Sequence, residues 1–75
     1  MESQKVLDAK GLACPMPVVK TKKEMDTLST GDILEIHATD SGAESDMAAW
    51  AKTSGHELLH QEKEGDILKF WIKKK

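Results

Sequence analysis

Cys14 is the side chain of this sequence best suited to covalent chemistry, and it is the single cysteine among 75 residues. Prolines follow it at positions 15 and 17, and residues typical of a helix come next. Proline is well accommodated in the first turn of a helix, because its missing N–H would have no intrahelical partner there. The spacing therefore predicts a helix over residues 15–29, with Cys14 as its N-cap and Pro15 as its first residue.

A thiol at the start of a helix lies near the positive end of the helix dipole and near unpaired amide groups, and both favour the thiolate. We therefore expect a lowered pKa for Cys14 and a nucleophilic sulfur that is exposed at the helix tip. The two prolines stiffen the backbone and hold the sulfur in a fixed direction. The alternative is a small buried hydrophobic side chain, since free cysteine is among the most buried residue types.

Hydrophobic periodicity predicts the elements that hold this cysteine in place. Alternation of apolar and polar residues indicates four strands, over residues 4–9, 32–39, 56–63 and 66–73. Gly31 has the position of a residue that ends the first helix, and an S-x-x-E capping box at residues 41–44 opens a second helix that ends at Gly55. The order β-α-β-α-β-β predicts an α/β (α+β) two-layer sandwich, in which two helices cover one face of a four-stranded mixed sheet.

The fourth strand indicates what lies on the open face of this sheet. Leu68, Phe70 and Ile72 point to one face and are expected in the core. Ile67 and Trp71 point to the other face, where clustered apolar groups can mark a docking surface. This pattern supports a second interpretation, in which the protein is a binding or regulatory module, the cysteine-proline stretch is a helix cap and the surface around Trp71 binds the partner.

The composition excludes several other kinds of site. A single cysteine excludes an intramolecular disulfide and every multi-cysteine zinc site. A net charge of −2, with no arginine, no tyrosine and one phenylalanine, argues against direct binding of nucleic acid. No apolar run approaches the roughly 18 residues of a membrane helix, so we expect a soluble cytoplasmic protein that does not contact a membrane. The length predicts one domain, residues 1–75.

The stretch of residues 7–17 resembles the signature of the TusA-like sulfur-carrier family, which includes the SirA and YedF proteins. In it the motif Cys-Pro-x-Pro follows Leu-Asp-x-x-Gly-Leu. Further positions match the family pattern in order and spacing, namely residues 31–36, Asp40, Asp46, Met47, Trp50 and residues 55–58. The resemblance covers nearly the whole chain and implies the same two-layer sandwich.

The resemblance also implies a function, that of a sulfur carrier or sulfurtransferase relay protein. Cys14 would be the nucleophile that accepts sulfane sulfur as a persulfide, and Gly11, Pro15 and Pro17 would support the site. The expected partners are a sulfur-donor enzyme, either a cysteine desulfurase or a rhodanese-like protein, and a downstream acceptor protein. We expect a monomer without cofactor or metal, which relays sulfur and does not turn over substrate independently.

Three charged residues are candidates for docking these partners. Lys22 occupies a position that is usually arginine in the family, and lysine lacks the bidentate fork of arginine. Asp40 and Asp46 lie at the start of the second helix, and the resemblance makes Asp40 a docking candidate on the same end of the molecule as the cysteine. A structural role for both aspartates remains open, because a helix N-terminus stabilises nearby acidic side chains.

Two further kinds of thiol chemistry are disfavoured. The histidines at positions 37, 56 and 60 are not spaced so as to place an imidazole beside Cys14, which argues against a cysteine-histidine hydrolase. A thiol redox protein is weakened by the absence of a second, resolving cysteine.

Overall fold

The elements of the computed structural model, which describes residues 3–75, follow the predicted order. They are β1 (Lys5–Ala9), α1 (Met16–Asp26), β2 (Ile33–Ala38), α2 (Ala43–Ser54), β3 (Glu57–Glu64) and β4 (Ile67–Lys73). The strands form one sheet in the order β1-β2-β4-β3. β1 and β2 are parallel, whereas β4 is antiparallel to β2 and to β3. This mixed sheet with two helices confirms the predicted α+β fold.

The core lies between the sheet and the two helices. Leu34, Ile36 and Ala38 of β2 are all 0 % exposed, as their alternation along the strand predicted. They belong to one buried cluster with Met25 of α1 and Met47 of α2. Because both helices contribute to the cluster on the same side of the sheet, that face is covered and the opposite face is open.

Helix α1 is shorter at its C-terminus than the sequence predicted. It ends at Asp26, because the Thr27 hydroxyl and the Thr27 backbone N–H both donate to the carbonyl of Glu24, over 2.6 Å and 3.0 Å. Gly31, at a φ of +92°, lies in the turn that leads into β2. The prediction that Gly31 ends the helix is therefore wrong, although its left-handed conformation explains why glycine is placed there.

Glycines flank helix α2 at both ends. Its N-cap is Gly42 and carries no side-chain cap, so the capping box predicted for residues 41–44 is wrong. Glu44 instead accepts a hydrogen bond from the Gln61 side-chain amide over 3.2 Å. Gly55 ends the helix in the left-handed conformation, at a φ of +83°, as predicted.

Trp71 faces the open side of the sheet but is only 7 % exposed. Its indole N–H donates to the Glu35 carboxylate over 3.1 Å, and the His60 ring lies 5.2 Å from it, centroid to centroid. These neighbours come from β2 and β3, which flank β4 in the sheet. The prediction that Trp71 forms an exposed apolar surface is therefore wrong, since polar side chains cover the ring.

Candidate functional site

The loop between β1 and α1 is held against the end of β2. The backbone N–H of Gly11 donates to the Thr39 hydroxyl over 2.9 Å, and that of Leu12 donates to the Ala9 carbonyl over 3.3 Å. Leu12 is half-buried and packs against the core. Gly11 has a φ of +80°, a conformation that a residue with a Cβ rarely adopts. The loop therefore has a defined path to the cysteine that follows it.

Cys14 is exposed at the start of α1 and carries a free thiol. The helix begins at Met16 with Pro15 as its N-cap, one residue later than predicted. A turn precedes it, in which the Met16 N–H donates to the Ala13 carbonyl over 2.9 Å, and the peptide bond between Cys14 and Pro15 is cis. The expected exposure of the sulfur is confirmed, and the alternative of a buried structural cysteine is wrong.

The two prolines of the motif have different surroundings. Pro15 is exposed beside the thiol, whereas Pro17 is buried and its carbonyl accepts a hydrogen bond from the Thr21 hydroxyl over 2.7 Å. The Thr21 oxygen also lies 3.7 Å from the sulfur of Met47 in α2. Pro17 thus lies on the buried side of α1, which contacts α2 through Thr21.

Two carboxylates from the start of α2 lie next to each other on the side of the thiol. Both carboxylates lie close to Gly42. If residue 42 had a side chain, its Cβ atom would lie 3.1 Å from one oxygen of Asp40 and 3.8 Å from one oxygen of Asp46. The Asp46 carboxylate lies near enough to the Cys14 thiol to raise its pKa. Both aspartates are half-buried. The structure thus brings three of the predicted site residues together, Cys14, Asp40 and Asp46.

These carboxylates raise the pKa of the Cys14 thiol above its ordinary value of 9.0. The largest cause is the hydrogen bond to Asp46, which stabilises the protonated thiol; partial desolvation and the negative charges of Asp46 and Asp40 act in the same direction. The prediction of a lowered pKa is therefore wrong. The helix start favours the thiolate, but a carboxylate that accepts a hydrogen bond from the protonated thiol outweighs this effect.

Lys22 lies on the exposed surface of α1. The charges that shift the pKa of Cys14 are those of Asp46 and Asp40, and within residues 3–75 no lysine is among them. Lys22 is thus not one of the charges that shift the pKa of Cys14, and its role in docking stays a prediction.

The three histidines are engaged away from the thiol. His37 pairs with Glu35, His60 pairs with Glu62 over 3.0 Å, and His56 accepts the backbone N–H of residue 75 over 3.0 Å. Within the part of the chain that the structure describes, no three His, Cys, Asp or Glu side chains are grouped so as to hold a metal ion. The arrangement therefore offers a single nucleophile beside two carboxylates.

Comparison with known proteins places this site in a family. The family model described as "Sulfurtransferase TusA" matches residues 5–74. The chain belongs to the TusA family. It is 68 % identical over 74 residues to the protein YrkI of Bacillus subtilis, with 99 % of each chain covered.

Further relatives bear on function and on fold separately. The sulfur carrier protein TusA of Allochromatium vinosum is 44 % identical over 68 residues, with 91 % of this chain and 90 % of that protein covered. A solved SirA-like protein of Desulfitobacterium hafniense superimposes with a TM-score of 0.79 over 92 % of this chain and 95 % of that one, at 21 % identity, and so supports the fold. The TusA relatives support a sulfur-carrier role, which implies contact with a sulfur donor and a sulfur acceptor.

None of the helices within residues 3–75 is both long and apolar enough to cross a lipid bilayer.

Sequence reasoning missed one surface feature, a groove between α1 and β1 that we call the α1/β1 groove. It is lined by Leu7, Met16, Val19, Lys20, Lys23 and Glu24. A signal for it was present, because residues 16 and 19 fall outside the buried stripe of α1, formed by Pro17, Thr21 and Met25.

Proposed function

We propose that this protein carries sulfane sulfur as a persulfide on Cys14 and passes the terminal sulfur to a partner protein. The single observation that supports this most is the exposure of the Cys14 thiol at the tip of α1, where another protein can reach it. A carrier needs one accessible nucleophile on a rigid support, since the partner proteins supply the remaining catalytic groups. The protein would relay sulfur in this way without independent turnover and without a cofactor.

Loading is an exchange of one sulfur–sulfur bond for another. The Cys14 thiolate attacks the terminal sulfur of a donor persulfide, a bond forms between these two sulfurs, and the donor's own sulfur–sulfur bond breaks. The electron pair of the broken bond stays on the donor sulfur as a thiolate. The proton lost by Cys14 goes to solvent, and the donor thiolate can take one up from it. Discharge repeats the exchange with an acceptor thiolate as the attacking group.

The remaining residues of the proposed site act on the position of Cys14 or on its partners. Gly11 sets the path of the loop, and Pro15 and Pro17 set the start of α1. Asp46 favours the protonated thiol and, with Asp40, offers a negative surface to a docking protein. Lys22 is proposed as a separate docking residue on the exposed side of α1.

The partners proposed are a cysteine desulfurase or a rhodanese-like donor and an acceptor protein with its own thiol. Contact with each would be transient, with the carrier a single-domain monomer over residues 1–75. We place the relay in the cytoplasm, because a reducing compartment keeps a single exposed thiol from forming disulfides between molecules. The alternative of a binding module that works through Trp71 is disfavoured by the 7 % exposure of that ring.

Mass spectrometry of the intact protein tests the proposal. Incubation with a cysteine desulfurase and cysteine is expected to add about 32 Da per sulfur, following thiolate attack on sulfane sulfur. The added mass should disappear on treatment with dithiothreitol and should be absent from Cys14→Ser. An unchanged mass of the wild-type protein, or an equal gain on Cys14→Ser, would contradict the proposal.

A further inference from the structure

The α1/β1 groove lies beside a free strand edge. In the sheet order β1-β2-β4-β3, β1 is an edge strand that pairs with β2 alone among the strands of residues 3–75. Leu7 belongs both to β1 and to the lining of the groove, while Met16 and Val19 reach it from α1. An extended segment that adds to the free edge of β1 would therefore lie alongside the groove.

Half of the residues that line the groove are apolar. Met16 is 42 % exposed and Val19 is 38 % exposed, and both are among the most exposed large hydrophobic side chains of residues 3–75. The groove has a volume of about 170 Å³. Small-molecule sites usually measure about 300–1,000 Å³, so the groove is better suited to one or two side chains of another protein.

The charges at the rim of the groove favour an acidic occupant. Lys20 and Lys23 are exposed there. The carboxylate of Glu24, which also lines the groove, is paired with Lys5 over 2.5 Å, so its charge is already countered. The rim is therefore positive, although the chain as a whole carries a net charge of −2.

We infer that the α1/β1 groove binds an extended, acidic segment of a partner protein, which pairs with the free edge of β1 and places its acidic side chains against Lys20 and Lys23. Every second side chain of the segment faces α1. Along this one face, apolar side chains enter the groove between Leu7 and Val19 and acidic side chains meet Lys20 and Lys23. Because Met16 is two residues from Cys14 in the sequence, a partner held here lies close to the thiol. The inference adds a docking mode to the proposed function but does not depend on persulfide chemistry.

Nuclear magnetic resonance with a defined peptide tests this inference. The probe is a short blocked peptide in which every second residue is in turn valine or glutamate, with threonine at the positions between, so that valine and glutamate share one face of the strand. Its control is the same peptide with lysine in place of glutamate. The glutamate peptide is expected to shift the β1 amide signals and the methyl signals of Met16 and Val19, and to slow hydrogen exchange at the β1 amides that do not bond to β2. The lysine peptide should cause neither change.

Charge variants sharpen the test. Replacing Lys20 and Lys23 together by glutamine should weaken binding of the glutamate peptide between about twofold and thirtyfold, as expected for two exposed ion pairs. The matched control, Lys52→Gln with Lys73→Gln, removes the same charge from exposed positions outside the groove and should bind as the wild type does. Cys14→Ser should also bind normally, and both lysine variants should still accept sulfur from a small-molecule donor, which separates this inference from the proposed function.

Several results would overturn the inference. One is equal binding of the two peptides, and another is no binding at millimolar peptide. Signal changes that map away from β1 and α1 would place the docking surface elsewhere. Protection of the β1 amides that grows with protein concentration in the absence of peptide would show that the occupant is a second copy of the chain.

Discussion

Replacing Asp46 by asparagine should lower the pKa of Cys14. The hydrogen bond from the thiol to the Asp46 carboxylate is the largest cause of the raised pKa, and the charge of Asp46 adds to it. Asparagine keeps the size of the side chain and removes the charge. The variant should remain folded, because loss of one acidic side chain from the first turn of a helix costs about 0.3–1 kcal/mol.

The size of the effect on reactivity follows from the thiolate population. A thiol with the ordinary pKa of 9.0 is about 1 % thiolate at pH 7, and wild-type Cys14 lies below that fraction. A thiolate of lower pKa is also a weaker nucleophile, with a Brønsted coefficient of about 0.4–0.5. Each tenfold gain in thiolate fraction should therefore raise the rate of attack on a small disulfide at pH 7 by about three- to fourfold. At a pH above both pKa values the order reverses, and the wild-type thiolate should react faster than that of the variant.

The assay follows the reaction of Cys14 with an aromatic disulfide as a function of pH, together with thiolate absorbance. Asp40→Asn should produce a smaller change than Asp46→Asn, because the charge of Asp40 is the smallest of the causes. Asp26→Asn is the matched control, since it removes the same charge from the exposed C-terminal end of α1 and should leave the profile unchanged. The reasoning is refuted if Asp46→Asn has a pKa equal to or above that of the wild type. It is also refuted if wild-type Cys14 titrates below a cysteine in the unfolded chain.

Acid titration and core truncation test the scaffold. The pKa of Glu35 is lowered, chiefly by its hydrogen bond with His37 and further by those from Ser3 and Trp71. The ionised carboxylate therefore stabilises the fold above its ordinary pKa of 4.5. This stabilisation is lost as the pH falls through the pKa of Glu35 in the folded protein. The urea concentration at the unfolding midpoint, followed by tryptophan fluorescence, should therefore decrease as the pH is lowered below about 4.5. Glu35→Gln should make this decrease smaller, and an equal decrease in both proteins would exclude Glu35 as its source. Met47 is 0 % exposed, so Met47→Ala should lose about 2–5 kcal/mol of unfolding free energy, whereas Met47→Leu should lose less than about 1.5 kcal/mol. Similar losses in the two Met47 variants would contradict tight packing at this position.

Features that depend on local periodicity were predictable from the sequence. The alternation in β2 identified Leu34, Ile36 and Ala38 as core residues, because neighbouring side chains of a strand point to opposite faces and one face is covered. The end of α1 was less predictable. It depends on hydrogen bonds from the hydroxyl and backbone N–H of Thr27, and threonine can bond in this way to a nearby carbonyl or point into solvent.

Features that depend on pairs distant in sequence were not predictable. Alternation correctly assigned Trp71 to the open face, but its burial depends on the strand register that places Glu35 and His60 beside it. The prediction of a lowered pKa for Cys14 failed for the same reason. The helix that follows Cys14 is visible in the sequence, whereas the position of Asp46 at the thiol depends on how α2 packs against α1.

A raised thiol pKa suits a carrier better than the lowered pKa that the helix start alone suggests. At neutral pH it reduces the population of the attacking thiolate, which slows unwanted reaction of the free carrier with disulfides and oxidants. It also makes Cys14 a poorer leaving group, because a thiolate of higher pKa leaves more slowly when another thiol attacks the terminal sulfur. Sulfur bound at Cys14 would thus be retained in transit by the same carboxylates that slow loading. Both steps would accelerate where a partner counters the charges of Asp46 and Asp40, so that transfer would be faster in the docked complex than in the free carrier.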